Sequence, residues 1–246
     1  SSSGVLISSD RGESWSGTGD LVYPHTSLLE GVVSEVRGAS QAGGDEPDAA
    51  AAEGQGSPAG SHLMMMFRST KGCAFRSFSR DRGGNWSFPE AVDVVNPNSK
   101  MDAMRLEGRG ATPLAMAFNN HPKLLSYCSK CRTHLHVAFS NNDGQTWKLV
   151  AQIEDEQRDG VRIHYPSLLQ LDRSTLAVFY SRFYLGRCAQ VRAPRESYCP
   201  GRDSNNQGIF MATIDLTAVR QGRVPQLDTR RPNDGDERVL SDALRD

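Results

Sequence analysis

The chain has 246 residues, 37% of them hydrophobic, with 23 Gly and 12 Pro, a profile that suits a turn-rich β protein better than a helical bundle. Apolar runs such as Leu63–Phe67 and Leu176–Tyr180 fall far short of the ~18 residues of a membrane-crossing helix. A formal net charge of −1 excludes a global field that would recruit nucleic acid or an anionic membrane.

In chain order, strands are predicted at Gly4–Ser8, Gly31–Val36, Leu63–Arg68, Cys73–Ser79, Thr133–Ser140, Ser167–Leu171, Thr175–Ser181 and Gly208–Asp215. Each run is short, rich in Val, Ile, Leu, Phe or Tyr, and bounded by Gly, Asp, Asn or Ser. The regular supply of such runs predicts an all-β fold. Residues 38–61 read GASQAGGDEPDAAAAEGQGSPAGS and hold no large hydrophobe. Such a stretch buries too little apolar surface to offset its ordering entropy. It is expected to be a disordered surface insertion, because the strands on either side read as hairpin partners. Residues 220–246 are expected to form a polar tail.

Three octets stand out. Ser8–Trp15 reads SSDRGESW, Ser79–Trp86 reads SRDRGGNW and Ser140–Trp147 reads SNNDGQTW. The first two fit S-x-D-x-G-x-x-W through Ser8, Asp10, Gly12 and Trp15, and through Ser79, Asp81, Gly83 and Trp86. The third keeps Ser140, Gly144 and Trp147 but has Asn142 in place of Asp. Together they use all three Trp of the chain. Each follows an apolar strand and so reads as a hairpin turn. Asp or Asn bonds the turn backbone, Gly supplies the positive φ, and Trp is an apolar anchor with one N–H to satisfy.

The octet resembles the Asp-box, or BNR repeat, of the sialidase superfamily. Residues 94–106 (VVNPNSKMDAMRL) and 164–180 (HYPSLLQLDRSTLAVFY) resemble the predicted-neuraminidase branch. The resemblance runs from about Gly4 to Leu216. It implies a six-bladed β-propeller, present here as about four blades, a single incomplete domain over residues 1–246, and a chain that is N-terminally incomplete. It also implies that the Asp-boxes are structural and lie away from the active site.

The chemistry of a sialidase then assigns residues. A sialic acid carries a carboxylate on its anomeric carbon, which calls for bidentate guanidinium groups. A carboxylate nucleophile would be repelled there. A phenol can approach neutral and give its proton to a neighbouring base as it attacks. By position the resemblance implies Tyr165 as nucleophile, Glu30 as its base, and Arg68 and Arg132 as carboxylate-binding residues. Asn98 and Asp102 match a branch motif and are candidate substrate contacts. The family's first triad Arg and acid/base Asp come from a region upstream of the strands seen here, and Ser181 stands where a second Glu usually falls.

The function expected is removal of a terminal sialic acid or related acidic sugar by a retaining mechanism. The alternative is a non-catalytic Asp-box propeller that binds glycans or proteins. Neither requires a cofactor. Cys128-x-x-Cys131 is half of a metal or redox motif whose second half is missing, so no metal site is assigned. Cys188 and Cys199 could close a loop disulfide. An odd count of five Cys leaves the compartment open.

Overall fold

The computed structural model describes residues 2–37, 61–108, 113–121, 132–156, 161–184, 207–221, 223 and 227–230. Residues 38–60, Cys128, Cys131, Cys188 and Cys199 lie outside that set, as does most of 220–246. The described residues form strands β1 (Ser3–Ile7), β2 (Ser16–Leu21), β3 (Leu29–Arg37), β4 (Ser61–Arg68), β5 (Cys73–Ser79), β6 (Glu90–Val95), β7 (Asp102–Arg105), β8 (Leu114–Asn119), β9 (His134–Ser140), β10 (Lys148–Asp155), β11 (Val161–Gln170), β12 (Thr175–Tyr184), β13 (Gly208–Asp215) and β14 (Leu227–Arg230), with one short helix, α1 (Leu216–Arg220).

All eight predicted strands are present. Their antiparallel pairing makes a two-stranded first sheet (β1–β2), a second sheet (β3–β6), a third (β7–β10) and a fourth (β11–β14), the last three each in sequential order. Strands β3 and β4 are indeed hairpin partners. The sequence reading missed β2, β6, β7, β8, β10 and β14. Strand β8 (LAMAFN) shows why: it is buried along its whole length and so has no alternation to read, and Ala and Met carry little β propensity.

The sheets stack face to face in chain order around three apolar layers. Leu21 and Leu28 meet Met65, Phe67 and Phe75 between the first and second sheets. Val36, Met64 and Met66 meet Ala103, Leu114, Met116 and Phe118 between the second and third. Leu135, Val137 and Phe139 meet Leu168, Leu176, Val178, Tyr180 and Phe210 between the third and fourth. The second and third sheets thus bury both faces, and each large side chain placed in a layer contributes about 1.5–3 kcal/mol. This is an all-β, propeller-like arrangement.

The octets hold the stack together from one end. In each, the Ser hydroxyl accepts from the Gly amide, at 2.7 Å for Ser8 and Gly12 and 2.8 Å for the other two pairs. The Asp10, Asp81 and Asn142 side chains accept from the amides of Ser14, Asn85 and Thr146 at 2.8–2.9 Å. The backbone bonds Gly84 N to Asp81 O and Gln145 N to Asn142 O close four-residue turns. Their central residues, Arg82–Gly83 and Asp143–Gly144, all have positive φ, as a type I′ turn requires. Hydrogen bonds hold the Asp10 and Asp81 carboxyls down at about 2.

Each of the later two boxes seats on the sheet before it. Trp86 lies against Gly19 of β2, and a Cβ at Gly83 would touch Ile7 and Val5 of β1. Gly144 lies on Met64 of β4, where Arg76 donates to its carbonyl and Arg105 pairs with Asp143. The fourth sheet has no box. Helix α1 follows β13 and buries Leu216 and Ala218, the former in the layer shared with the third sheet.

Candidate functional site

The opposite end of the strands gathers Glu30, Arg68, Arg132, Asn98 and Tyr165. Arg68 closes β4, and its register partner is Leu29, so antiparallel pairing brings Glu30 beside it. Glu30 Oε2 lies 3.2 Å from Arg68 Nη1. Tyr165 Oη donates to Glu30 Oε1 at 3.3 Å, across 135 residues of sequence. The Arg132 guanidinium stands over the Tyr165 ring, 5.9 Å from its centroid, and its Nη2 donates to the Asn98 carbonyl at 3.0 Å.

Local backbone irregularity creates this convergence. The β3–β4 register shifts between Leu29 and Val32, and the β11–β12 register shifts between His164 and Ser167. Glu30 and Tyr165 sit at these two bulges, which re-aim a side chain out of the regular alternation. Both residues, and Asn98, have positive φ: 47°, 55° and 56°. For Glu and Tyr that conformation is uncommon and costs roughly 1–3 kcal/mol, a cost that clusters at functional sites.

A buried polar brace lies behind the bulge of β11. Ser99 Oγ donates to Asn119 Oδ1 at 2.6 Å, and Asn119 Nδ2 donates to the Ile163 carbonyl at 2.8 Å. Asn96 bonds Ser99 twice, at 2.9 Å each. Asp102 Oδ2 accepts from Leu168 N at 2.7 Å and its Oδ1 from Ala103 N at 3.1 Å. The structure therefore places Asp102 in the brace, with both oxygens on backbone amides, and brings Asn98 to the guanidinium cluster. Asn119 was missed by the sequence reading; an Asn ending an otherwise apolar strand is the one signal that could have marked it.

Several polar atoms here are buried without a hydrogen bond: Nε and Nη1 of Arg68, Nε of Arg132, Oδ1 of Asn98 and Nδ1 of His164. The Arg68–Glu30 approach is thus an ion pair without a directed hydrogen bond. The burial of donors that strong is costly, and an anionic ligand would satisfy them. His164 packs its ring 4.6 Å from that of Tyr165 and 4.9 Å from Phe183. Burial pulls its imidazole down to about 4, helped by Arg132, Arg162 and Arg68 nearby. The ring is neutral at pH 7 beside three guanidinium groups.

Other polar clusters stand apart from Tyr165. His134 Nε2 pairs with Asp155 at 2.9 Å and its ring packs on His121. Arg182 is clamped by Glu154 and Glu156 at 3.0 and 2.7 Å. Among the described residues no three His, Cys, Asp or Glu are grouped to hold a metal ion. A cavity of about 700 Å3 lies at the Asp-box end, lined by Val36, Arg37, His62, Phe78, Arg80 and Trp86 among others, remote from the bulges. No helix among the described residues is long and apolar enough to cross a membrane.

Comparison with known proteins places this geometry in context. The BNR repeat-like domain matches residues 51–178, just over half of the chain. No curated protein sequence matches. The fold is similar to that of the NanB sialidase of Streptococcus pneumoniae, with a TM-score of 0.50 and 16% identity over 73% of this chain and 24% of that one. A leech intramolecular trans-sialidase is similar at a TM-score of 0.50 and 12% identity, again over 73% of this chain and 24% of that one. The chain thus spans about a quarter of the length of either enzyme.

Proposed function

The chain belongs to the BNR repeat-like domain family, and from that premise we propose that it forms part of a sialidase-like glycoside hydrolase acting on a terminal acidic sugar. The reading extends to the ring: the four stacked sheets are a portion of a six-bladed propeller. The observation that carries the proposal is the chain of contacts Tyr165–Glu30–Arg68, at 3.3 and 3.2 Å, with Arg132 standing over the same phenol.

The chemistry follows from those positions. Arg68 and Arg132 hold the sugar carboxylate through their unspent N–H donors, which fixes the anomeric carbon over Tyr165. Tyr165 Oη attacks that carbon while Glu30 takes the phenol proton, so no anionic nucleophile approaches the carboxylate. Water then releases the sugar from Tyr165 with net retention. Asn98 orients Arg132 through its carbonyl. Asp102 acts at one remove, by holding the Leu168 amide behind the bulge. A proton donor for the leaving oxygen and a further guanidinium complete such a site, and no described residue is assigned to either role.

The test is hydrolysis of a fluorogenic sialoside by the protein that carries this chain. Tyr165→Phe should abolish release while leaving the fold intact by circular dichroism. Turnover by that variant at the parent rate would refute the assignment. Separately, Arg132→Ala should weaken binding of free N-acetylneuraminic acid in a calorimetric titration, a readout that does not depend on turnover.

A further inference from the structure

The segment of residues 96–102, from the end of β6 to the start of β7, follows the bulge of β11 bond by bond, and Asn119 ties the two together. Ser99 Oγ donates to Asn119 Oδ1, and Asn119 Nδ2 donates to the Ile163 carbonyl. Further along, Lys100 Nζ donates to the Pro166 carbonyl at 3.5 Å, and Asp102 accepts from Leu168 N. These contacts fall on both sides of Tyr165. They also reach Arg132 twice. Its guanidinium donates to the carbonyl of Asn98, the residue before Ser99, and its own carbonyl accepts from the Ile163 amide. Asn96 holds the same turn, bonded to both the amide and the carbonyl of Ser99. Asn119 thus touches the residue next to Asn98 and the residue that holds the Arg132 backbone, two positions before Tyr165.

We infer that Asn119 is a positioning residue that sets Arg132 and Tyr165 relative to each other, which rests on the glycosidase reading in which those two hold and attack the same sugar. Packing alone does not ask for an amide here. The other five residues of β8, Leu114 to Phe118, are apolar and buried, and an apolar side chain would fill the place of Asn119 as well. Asn96, Ser99 and Asn119 are all fully buried, and buried polar groups are tolerable only when their bonds are made. The Ile163 carbonyl can only accept, so the amide nitrogen of Asn119 must face it and the amide oxygen must face Ser99. Each bond fixes direction as well as distance, which an apolar contact does not. Without the amide, the Ser99 hydroxyl and the Ile163 carbonyl lose these partners and the turn is freed from the strand. Arg132 and the phenol then shift apart although neither is altered. A displacement of about 1 Å at such a pair is enough to cost on the order of 100-fold in rate. Being fully buried, Asn119 reaches no ligand itself and acts through these two residues.

The test is a double-mutant cycle on the protein that carries this chain, read by binding of free N-acetylneuraminic acid in an NMR titration. Asn119→Leu should weaken binding about tenfold where Arg132 is present, and less than about twofold in an Arg132→Ala background, because nothing is left to position. Ser99→Ala, which removes only the hydroxyl facing Asn119, should repeat the pattern more mildly, and it carries the test if Asn119→Leu does not fold by its far-UV spectrum. Turnover gives a second readout: kcat for a sialoside should fall as well, since Tyr165 is displaced too. Equal weakening in both backgrounds, no weakening in either, or an unchanged kcat overturns the inference and leaves the glycosidase reading standing. A parent protein that neither binds the acid nor hydrolyses a sialoside overturns that reading, and the inference with it.

Discussion

The same strands end in left-handed backbone at both ends of the stack, and the two ends use it differently. At the Asp-box end the positive φ values come as pairs, Arg11–Gly12, Arg82–Gly83 and Asp143–Gly144. Half of those positions are Gly, and the turn amides are answered by Ser and Asp or Asn side chains at 2.7–2.9 Å. At the other end the site residues Glu30, Asn98 and Tyr165, none of them Gly, take positive φ, and buried Arg and His nitrogens go without a hydrogen bond. One end repeats three times a turn whose amides are answered by side chains, with the Trp15 and Trp86 indoles also bonded and that of Trp147 buried without a hydrogen bond. The other holds strain and unspent donors where Tyr165, Glu30 and the two Arg meet. Local rules fail where a site is built and hold where a scaffold is built.

The largest effect that would sharpen this contrast is catalytic. Under the proposed mechanism Tyr165→Phe removes the nucleophile, and kcat/KM for a sialoside should fall by about 10^3-fold or more, with the melting temperature little changed. The converse holds at the other end. Trp86→Ala strips a half-buried anchor from the seat between the first two sheets, and should cost about 3 kcal/mol in a denaturant titration. Trp15→Ala, where the indole is 61% exposed, should cost less than about 0.5 kcal/mol. Equal losses at Trp86 and Trp15 would mean that the boxes stabilise only their own hairpins.

How much of this was legible in the sequence follows the same division. The boxes were readable because their chemistry is local: Ser, Asp or Asn, and Gly at fixed offsets make one turn, and the turn forms as read in all three. Eight strands rich in Val, Ile, Leu, Phe or Tyr were readable too, though β6 and β10 were missed despite their alternating burial. Strand β8 and helix α1 were not, since β8 is buried on both faces and α1 has only 5 residues, too few for a helical period to show. At the candidate site the residues Glu30, Arg68, Arg132 and Tyr165 were named through family resemblance, and the structure brings them together. The bulges that make this possible have no signature in composition. Neither has the brace from Ser99 through Asn119 to Ile163, because its partners are 20 and 44 residues apart.

A smaller effect links the site to pH. His164 is held near 4 by burial and by Arg132, Arg162 and Arg68, against an unfolded value of about 6.5. Between those values the unfolded chain binds a proton that the folded chain refuses, so stability rises with pH from about 4 to 6.5 and is level above that window. Lowering the pH from 7 to 5 should cost about 2 kcal/mol through this residue. His164→Phe, which keeps the ring between Tyr165 and Phe183, should flatten most of the slope. Some slope remains, because burial also lowers His136. A parent with no pH dependence in this window would place His164 in contact with water and its neighbours further off.

The smallest effects test the backbone itself. Gly12 has φ of 92° and meets nothing beyond Trp15, so Gly12→Ala adds no clash and isolates the conformational cost, about 1 kcal/mol. Asn98 has φ of 56° and its part in the site is its carbonyl, which accepts from Arg132. Asn98→Gly relieves the left-handed strain but frees the unfolded chain, and the two terms oppose each other at several tenths of a kcal/mol apiece. Net stability should therefore change by less than about 0.5 kcal/mol, with the Arg132 contact kept. Asn98→Ala has strain without the tolerance that Asn brings to this conformation, and should cost about 1 kcal/mol, as at Gly12. If Asn98→Gly instead destabilises as much as Asn98→Ala, the Asn98 side chain holds the loop in a way its unpartnered Oδ1 gives no hint of, and the strain at this end is smaller than its dihedral angles imply.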